Sequence, residues 1–163
     1  MFSAKKILVP VDFSDVSRAA ISAALQMAAA SSGEVWLLHV ERGLESDMAE
    51  AIQTAPNETV IENQIRFDEH ALTEAAALEA QRCAEAGKPL PFVPVHVRVT
   101  GGSWLEVAID MISELQLDLV ITGTHGRKGV AGFLMGSVSE RLAGKAPCSV
   151  FVVKPQGFPY LRD

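Results

Sequence analysis

Cysteine is scarce in this sequence: Cys83 and Cys148 are the only two among 163 residues. Two cysteines outside a CxxC pair cannot build a disulfide framework, so we expect two reduced thiols. The four histidines are scattered along the chain, and their spacing does not suggest a zinc site. The sequence therefore predicts neither a disulfide-stapled fold nor a metal centre.

Long apolar runs and an excess of positive charge are also missing. The first apolar run ends at Asp12 after a few residues, which is too short for a signal peptide or a membrane span. The formal net charge of −6 argues against non-specific nucleic-acid binding, because such binding needs clustered Lys and Arg. We therefore expect a soluble, cytoplasmic protein that binds neither nucleic acid nor membranes.

Short apolar runs alternate with amphipathic helical patterns along the whole chain. This alternation is typical of βαβ units around a parallel sheet. The predicted strands cover residues 7–11, 35–40, 92–99, 117–122 and 149–153, and helices are predicted to begin near Ser14, Thr59, Ser103 and Ser137. The apolar runs are continuous, which indicates strands that helices cover on both faces.

These elements predict one α/β domain over residues 1–163 with a five-stranded, doubly wound parallel sheet. Residues 41–59 are acidic and break the pattern, so we expect an exposed excursion there, and residues 155–163 form a C-terminal tail. The pattern leaves two strand orders open, 3-2-1-4-5 and 2-1-3-4-5. Both orders place a ligand crevice at the carboxyl ends of the strands, beside strand 1.

A glycine-rich segment joins the fourth strand to the last helix, with glycines at positions 123, 126, 129, 132 and 136. Glycine lets backbone N–H groups approach an anion closely, and a helix N-terminus adds partial positive charge. Arg127 and Lys128 could meet phosphate oxygens from the rim of the loop. The segment matches neither a P-loop nor a dinucleotide fingerprint, so by itself it indicates only an anion-binding loop.

The full spacing of this segment is more specific. Gly123, Gly126, Gly136 and Ser137 match the pattern G-x2-G-x9-G-[ST] at every defined position. With this motif, and over nearly its whole length, the chain resembles universal stress proteins of the ATP-binding type. The resemblance implies a Rossmann-like, adenine-nucleotide-binding sandwich with strand order 3-2-1-4-5, in which Asp12 and Gly123 flank one crevice.

The resemblance also implies a set of site residues and partners. The implied nucleotide site comprises Pro10, Val11, Asp12, Val40, Gly123, Thr124, His125, Gly126, Arg127, Gly129, Gly136, Ser137, Val138 and Ser139. The expected ligand is ATP or AMP, with Mg²⁺ able to bridge the phosphates, and the expected assembly is a homodimer through the strand at 149–153. A purely local role stays open for Ser137, which could simply cap the last helix.

The sequence shows no catalytic base aligned with a nucleophile and no P-loop lysine. We therefore expect a stress-response sensor or regulator that binds adenine nucleotide with little or no turnover. One alternative is a slow ATP hydrolase or autokinase with Ser137 or Ser139 as phosphoacceptor. The other is a nucleotide-independent interaction protein with chaperone-like behaviour.

Overall fold

The computed structural model describes residues 4–41, 58–124 and 137–154. Within them the elements follow the order β1 (Lys6–Pro10), α1 (Asp15–Ser31), β2 (Glu34–Glu41), α2 (Glu58–Glu85), β3 (Val95–Gly101), α3 (Trp104–Leu115), β4 (Leu119–Gly123), α4 (Ser137–Lys145) and β5 (Ser149–Val153). Strands and helices alternate throughout, as the sequence predicts.

The five strands form one parallel sheet in the order β3-β2-β1-β4-β5. This order decides between the two that the sequence pattern leaves open, and it confirms the one that the resemblance implies. The strand sequence reverses at β1, since β2 and β3 lie on one side of it and β4 and β5 on the other. The neighbours β1 and β4 therefore bound the topological switch point of the sheet.

Helices cover both faces of the sheet because alternate residues of each strand point to opposite sides. Val9 and Leu37 belong to one buried cluster with residues of α1 and α2. Leu8 and Leu38 belong to a second cluster with residues of α3 and α4. The two clusters sandwich the sheet, and this confirms the doubly wound α/β architecture.

Some of the helices begin at the residues that are predicted to cap them. Ser14 caps α1, and its hydroxyl accepts a hydrogen bond from the Ser17 N–H at 3.2 Å. Ser103 occupies the N-cap position of α3, but its side chain makes no capping hydrogen bond. The predicted cap at Thr59 is wrong by position, because α2 already begins at Glu58 and places Thr59 inside the helix.

Two predicted segments need correction. The third strand begins at Val95 rather than at residue 92, because Pro91 and Pro94 have no N–H to donate to a strand ladder, and Phe92 is 92% exposed. The predicted excursion over 41–59 is too long, since Glu41 belongs to β2 and residues 58–59 belong to α2. Residues 42–57 and the predicted tail at 155–163 lie outside the described residues.

Asp118 organises the amino edge of the sheet, opposite the switch-point crevice. Its carboxylate accepts hydrogen bonds from the backbone N–H groups of Lys5 and Lys6, at 3.1 and 3.2 Å. Cys148 lies nearby as a free thiol, and Cys83 is free as well. Burial, and secondarily the Asp118 charge, raises the pKa of the Cys148 thiol, so less of it is thiolate at a given pH.

None of the helices among the described residues is both long and apolar enough to cross a membrane.

Candidate functional site

The carboxyl edge of the sheet brings the described members of the implied nucleotide site together. Parallel pairing sets Leu8 of β1 opposite Val120 of β4, so both strands end at the same edge. The turn after β1 and the end of β4 therefore flank one crevice. The described residues of the implied site at this edge are Pro10, Val11, Asp12, Val40, Gly123, Thr124, Val138 and Ser139.

The turn after β1 is held by a short set of hydrogen bonds. The Val11 N–H donates to the Leu38 carbonyl at 2.8 Å, which keeps the turn against β2. Asp12 Oδ1 accepts from the backbone N–H of Ser14 at 3.1 Å and from its hydroxyl at 2.5 Å. Between them Phe13 adopts a φ of 61°, a left-handed conformation that non-glycine residues seldom take. The Asp12 carboxylate thus has a fixed position at the crevice and a local role in shaping the turn.

Gly123 ends β4 where α1 begins. A Cβ at this position would lie 2.2 Å from Val16 Cγ1 and 3.0 Å from the Val16 carbonyl oxygen. The close approach of α1 to the end of β4 therefore requires glycine here. Gly123 has a packing role that the sequence pattern alone did not reveal.

Thr124 and Ser139 form the fully buried part of the edge, and both have no exposed surface. The Ser139 hydroxyl donates to the Gly123 carbonyl at 2.8 Å, so the first turn of α4 is fastened to the end of β4. The Thr124 Oγ1 atom is buried and has no hydrogen-bond partner among the residues that the structure describes. A buried hydroxyl is stabilised when a polar group pairs with it, and residues 125–136, which follow Thr124 directly, lie outside the described residues.

The remaining members of the implied site belong to the glycine-rich segment and the start of the last helix. His125, Gly126, Arg127, Gly129 and Gly136 lie outside the described residues. Ser137 is the first residue of α4. The predicted contacts of the glycine motif with phosphate thus stay a prediction.

The fold and the edge together define a class: a doubly wound α/β domain whose ligand crevice opens at the switch point between β1 and β4. The family model of the universal stress protein family matches residues 3–154, and the chain belongs to this family. A universal stress protein of Staphylococcus haemolyticus is 26% identical over 162 residues, covering 98% of this chain and 90% of the relative.

Solved structures of the same family share the fold. A universal stress protein in complex with cAMP superposes with a TM-score of 0.61 at 21% identity, covering 93% of this chain and 98% of its own. A universal stress protein family member from Arabidopsis thaliana with AMP bound gives a TM-score of 0.53 at 16% identity, covering 94% of this chain and 93% of its own. At these identities the likeness shows the common α/β fold, and the ligands belong to those two proteins.

Proposed function

We propose that this universal stress protein binds an adenine nucleotide, ATP or AMP, in the crevice between the ends of β1 and β4, and acts as a stress-response sensor or regulator with little or no turnover. The observation that carries the proposal is the meeting of the Asp12 turn with the Gly123 end of β4 at the switch point. The glycine motif G-x2-G-x9-G-S continues from that point. The adenine class is supported by the relatives that hold cAMP and AMP.

We expect different groups at the edge to contact different parts of the nucleotide. A helix N-terminus carries partial positive charge and N–H groups without partners inside the helix, which suit phosphate, and the Ser139 bond holds the start of α4 against β4. Asp12 carries negative charge and would repel phosphate oxygens. Its carboxylate would instead accept from ribose hydroxyls or hold a phosphate-bridging Mg²⁺, which prefers oxygen ligands.

A thermal-shift panel tests the proposal directly. Excess AMP, ADP, ATP or cAMP should raise the melting temperature by roughly 5–10 °C, because a ligand at a hundred times its Kd stabilises the fold by about 2.7 kcal/mol. Guanine nucleotides should raise it less, with or without Mg²⁺. The variants Gly126→Val and Gly136→Val should abolish the shift, whereas Gly144→Ala, which has nothing within 4 Å of its added Cβ, should keep it. Identical melting with and without every adenine nucleotide would contradict the proposal.

Phosphoryl transfer to this chain is the competing activity. The structure bears on which serine hydroxyl could accept the phosphoryl group. Ser139 is fully buried, and its hydroxyl already donates to the Gly123 carbonyl. A phosphoryl group on Ser139 would break this bond and pull the start of α4 away from β4. Among the two hydroxyls that the sequence offers, only Ser137 therefore stays a candidate phosphoacceptor. Intact-mass measurement after incubation with ATP and Mg²⁺ would detect such a modification.

A homodimer through β5 and a cytoplasmic location belong to the same proposal. β5 is an edge of the sheet, four of its five residues are apolar, and Phe151 is 48% exposed. An open apolar edge strand aggregates unless something pairs with it, and a second copy would pair with it in register. The two free cysteines suit a reducing compartment.

Sedimentation velocity tests the dimer. The unmodified chain should sediment as a dimer at micromolar concentration, and Phe151→Lys should sediment as a monomer because it places charge at the edge of β5. Phe92→Lys is the matched control, since Phe92 is a more exposed phenylalanine away from β5. A monomeric unmodified chain, or a Phe151→Lys variant that stays dimeric, would refute this part of the proposal.

A further inference from the structure

Three potential metal ligands converge beside the end of β2. His39 and Glu41 come from β2, and Asp68 comes from α2. One nitrogen or oxygen atom from each of the three lies within 4.8 Å of the other two. His39 and Asp68 are only 8% and 6% exposed. Side chains two residues apart on a strand point to the same face of the sheet. His39 and Glu41 therefore lie on one face, which α1 and α2 cover.

A backbone hydrogen bond fixes the orientation of the His39 ring. Nδ1 lies 2.7 Å from the Val11 carbonyl oxygen, which can only accept, so Nδ1 carries the proton. Nε2 is then the ring nitrogen that faces Glu41 Oε2, at 3.4 Å. The Phe13 ring packs against the imidazole with a centroid separation of 4.7 Å. Metal-bound histidines show this same arrangement, with the second nitrogen donating to a backbone carbonyl.

The distance between His39 and Glu41 fits a shared cation. Two ligands at about 2.1 Å from a tetrahedral metal are separated by about 3.4 Å. His39 Nε2 and Glu41 Oε2 lie 3.4 Å apart. The exposed pair of His70 and Glu74 has the same separation, so the burial of His39 and the convergence of Asp68 distinguish this site from an ordinary ion pair.

Asp68 is held in place by its own helix. The Gln64 side-chain amide donates to both carboxylate oxygens at 3.1 Å, one turn earlier on α2. This contact aligns the buried carboxylate, as outer-shell partners of metal ligands do. Two like-charged carboxylates that converge to within 4.8 Å, one of them buried, repel each other, and this repulsion costs free energy. A cation at this position removes the conflict.

We propose that His39, Glu41 and Asp68 form a site for a divalent transition cation of the Zn²⁺ type, in which water completes the coordination. One imidazole with two carboxylates suits Zn²⁺ or Mn²⁺, whereas Mg²⁺ prefers oxygen ligands in a near-ideal octahedron. The cation links the end of β2 to α2. None of the three proposed ligands belongs to the proposed nucleotide crevice, although the Val11 carbonyl at its edge orients His39. Zn²⁺ binding and nucleotide binding are measured separately, so either proposal can fail without the other.

Titration calorimetry on the untagged full chain, stripped with chelator and free of nucleotide, tests the site. Zn²⁺ should bind with a stoichiometry of one, Mn²⁺ more weakly, and Mg²⁺ without measurable heat. His39→Gln and Asp68→Asn should remove Zn²⁺ binding. Gln64→Ala should weaken it by about tenfold, because Gln64 only positions Asp68. His70→Gln is the matched control: His70 is an exposed histidine on the same helix, paired with Glu74 at 3.4 Å, and its loss should change nothing.

A spectroscopic readout keeps the test decisive if His39→Gln does not fold. Co²⁺ should give the visible absorption of a low-coordinate nitrogen–oxygen site in the unmodified chain, and this absorption should be missing in Asp68→Asn. Zn²⁺ should also shift the ¹⁵N resonance of His39 Nε2. The proposal is overturned if the unmodified chain binds neither Zn²⁺ nor Co²⁺, if Asp68→Asn binds them equally well, or if the His39 resonances are those of a doubly protonated ring that Zn²⁺ does not alter.

Discussion

Replacing Gly33 with alanine should lower the free energy of unfolding by about 3 kcal/mol, at the upper end of what overpacking costs. Gly33 connects α1 to β2, and an added Cβ would lie 2.5 Å from the Lys5 carbonyl oxygen and 2.8 Å from Lys5 Cα. These are backbone atoms at the entrance to β1, and the same carbonyl accepts the Glu34 N–H at 2.6 Å. To relieve this clash, the backbone would have to move so that the first residues of β1 and β2 separate.

Urea unfolding of three matched glycine variants checks this result. Gly87 has a φ of +75° and open space around it, so Gly87→Ala should cost about 1 kcal/mol through backbone strain alone. Gly144 lies in α4 with open space, so Gly144→Ala should raise stability by up to about 1 kcal/mol. If Gly33→Ala unfolded at the same urea concentration as Gly87→Ala, the close approach of the Lys5 backbone to Gly33 would carry no extra cost.

The parts of the fold that local chemistry determines could be predicted from the sequence. The Ser14 cap and the bounds of β5 at Ser149–Val153 are confirmed, because a hydroxyl at a helix start and a continuous apolar run are local signals. The β3 boundary was wrong because apolar Phe92 extended the predicted run, whereas Pro91 and Pro94 have no N–H to donate and β3 begins at Val95. Strand order required the family resemblance, since the pattern alone allowed two arrangements.

The candidate sites show the same difference between local signals in the sequence and contacts that depend on the whole fold. The meeting of Asp12 with the end of β4 was predictable only with the strand order that the resemblance implies, because that order makes β1 and β4 neighbours. The cluster at His39 was missed. Its local signal was a histidine and a glutamate two residues apart on one strand, but Asp68 reaches them only through the packing of α2 on the sheet. No local pattern encodes that contact.

Gly123→Ala should lower the free energy of unfolding by about 2 kcal/mol and weaken adenine-nucleotide binding by about tenfold. The added Cβ would meet Val16 in the first turn of α1, both at the side chain and at the backbone carbonyl. Displacing this turn also displaces Ser14, whose N–H and hydroxyl hold the Asp12 carboxylate at the crevice. The added methyl group would therefore disturb the packing of α1 and also shift the Asp12 carboxylate in the proposed ligand site. Urea unfolding and titration calorimetry with AMP measure the two effects.

A double-mutant cycle with Val16→Ala separates packing from ligand contact at Gly123. Val16→Ala removes the Cγ1 atom that would lie 2.2 Å from the new Cβ, leaving the 3.0 Å contact with the carbonyl oxygen and the 3.1 Å contact with the Cβ of residue 16. Because the Cβ points at Val16, we expect the double variant to recover most of the stability and most of the AMP affinity together. Affinity that stays low after stability has recovered would show that the Gly123 backbone itself meets the nucleotide. A single variant Gly123→Ala as stable as the unmodified chain would remove the physical basis for placing α1 so close to the end of β4.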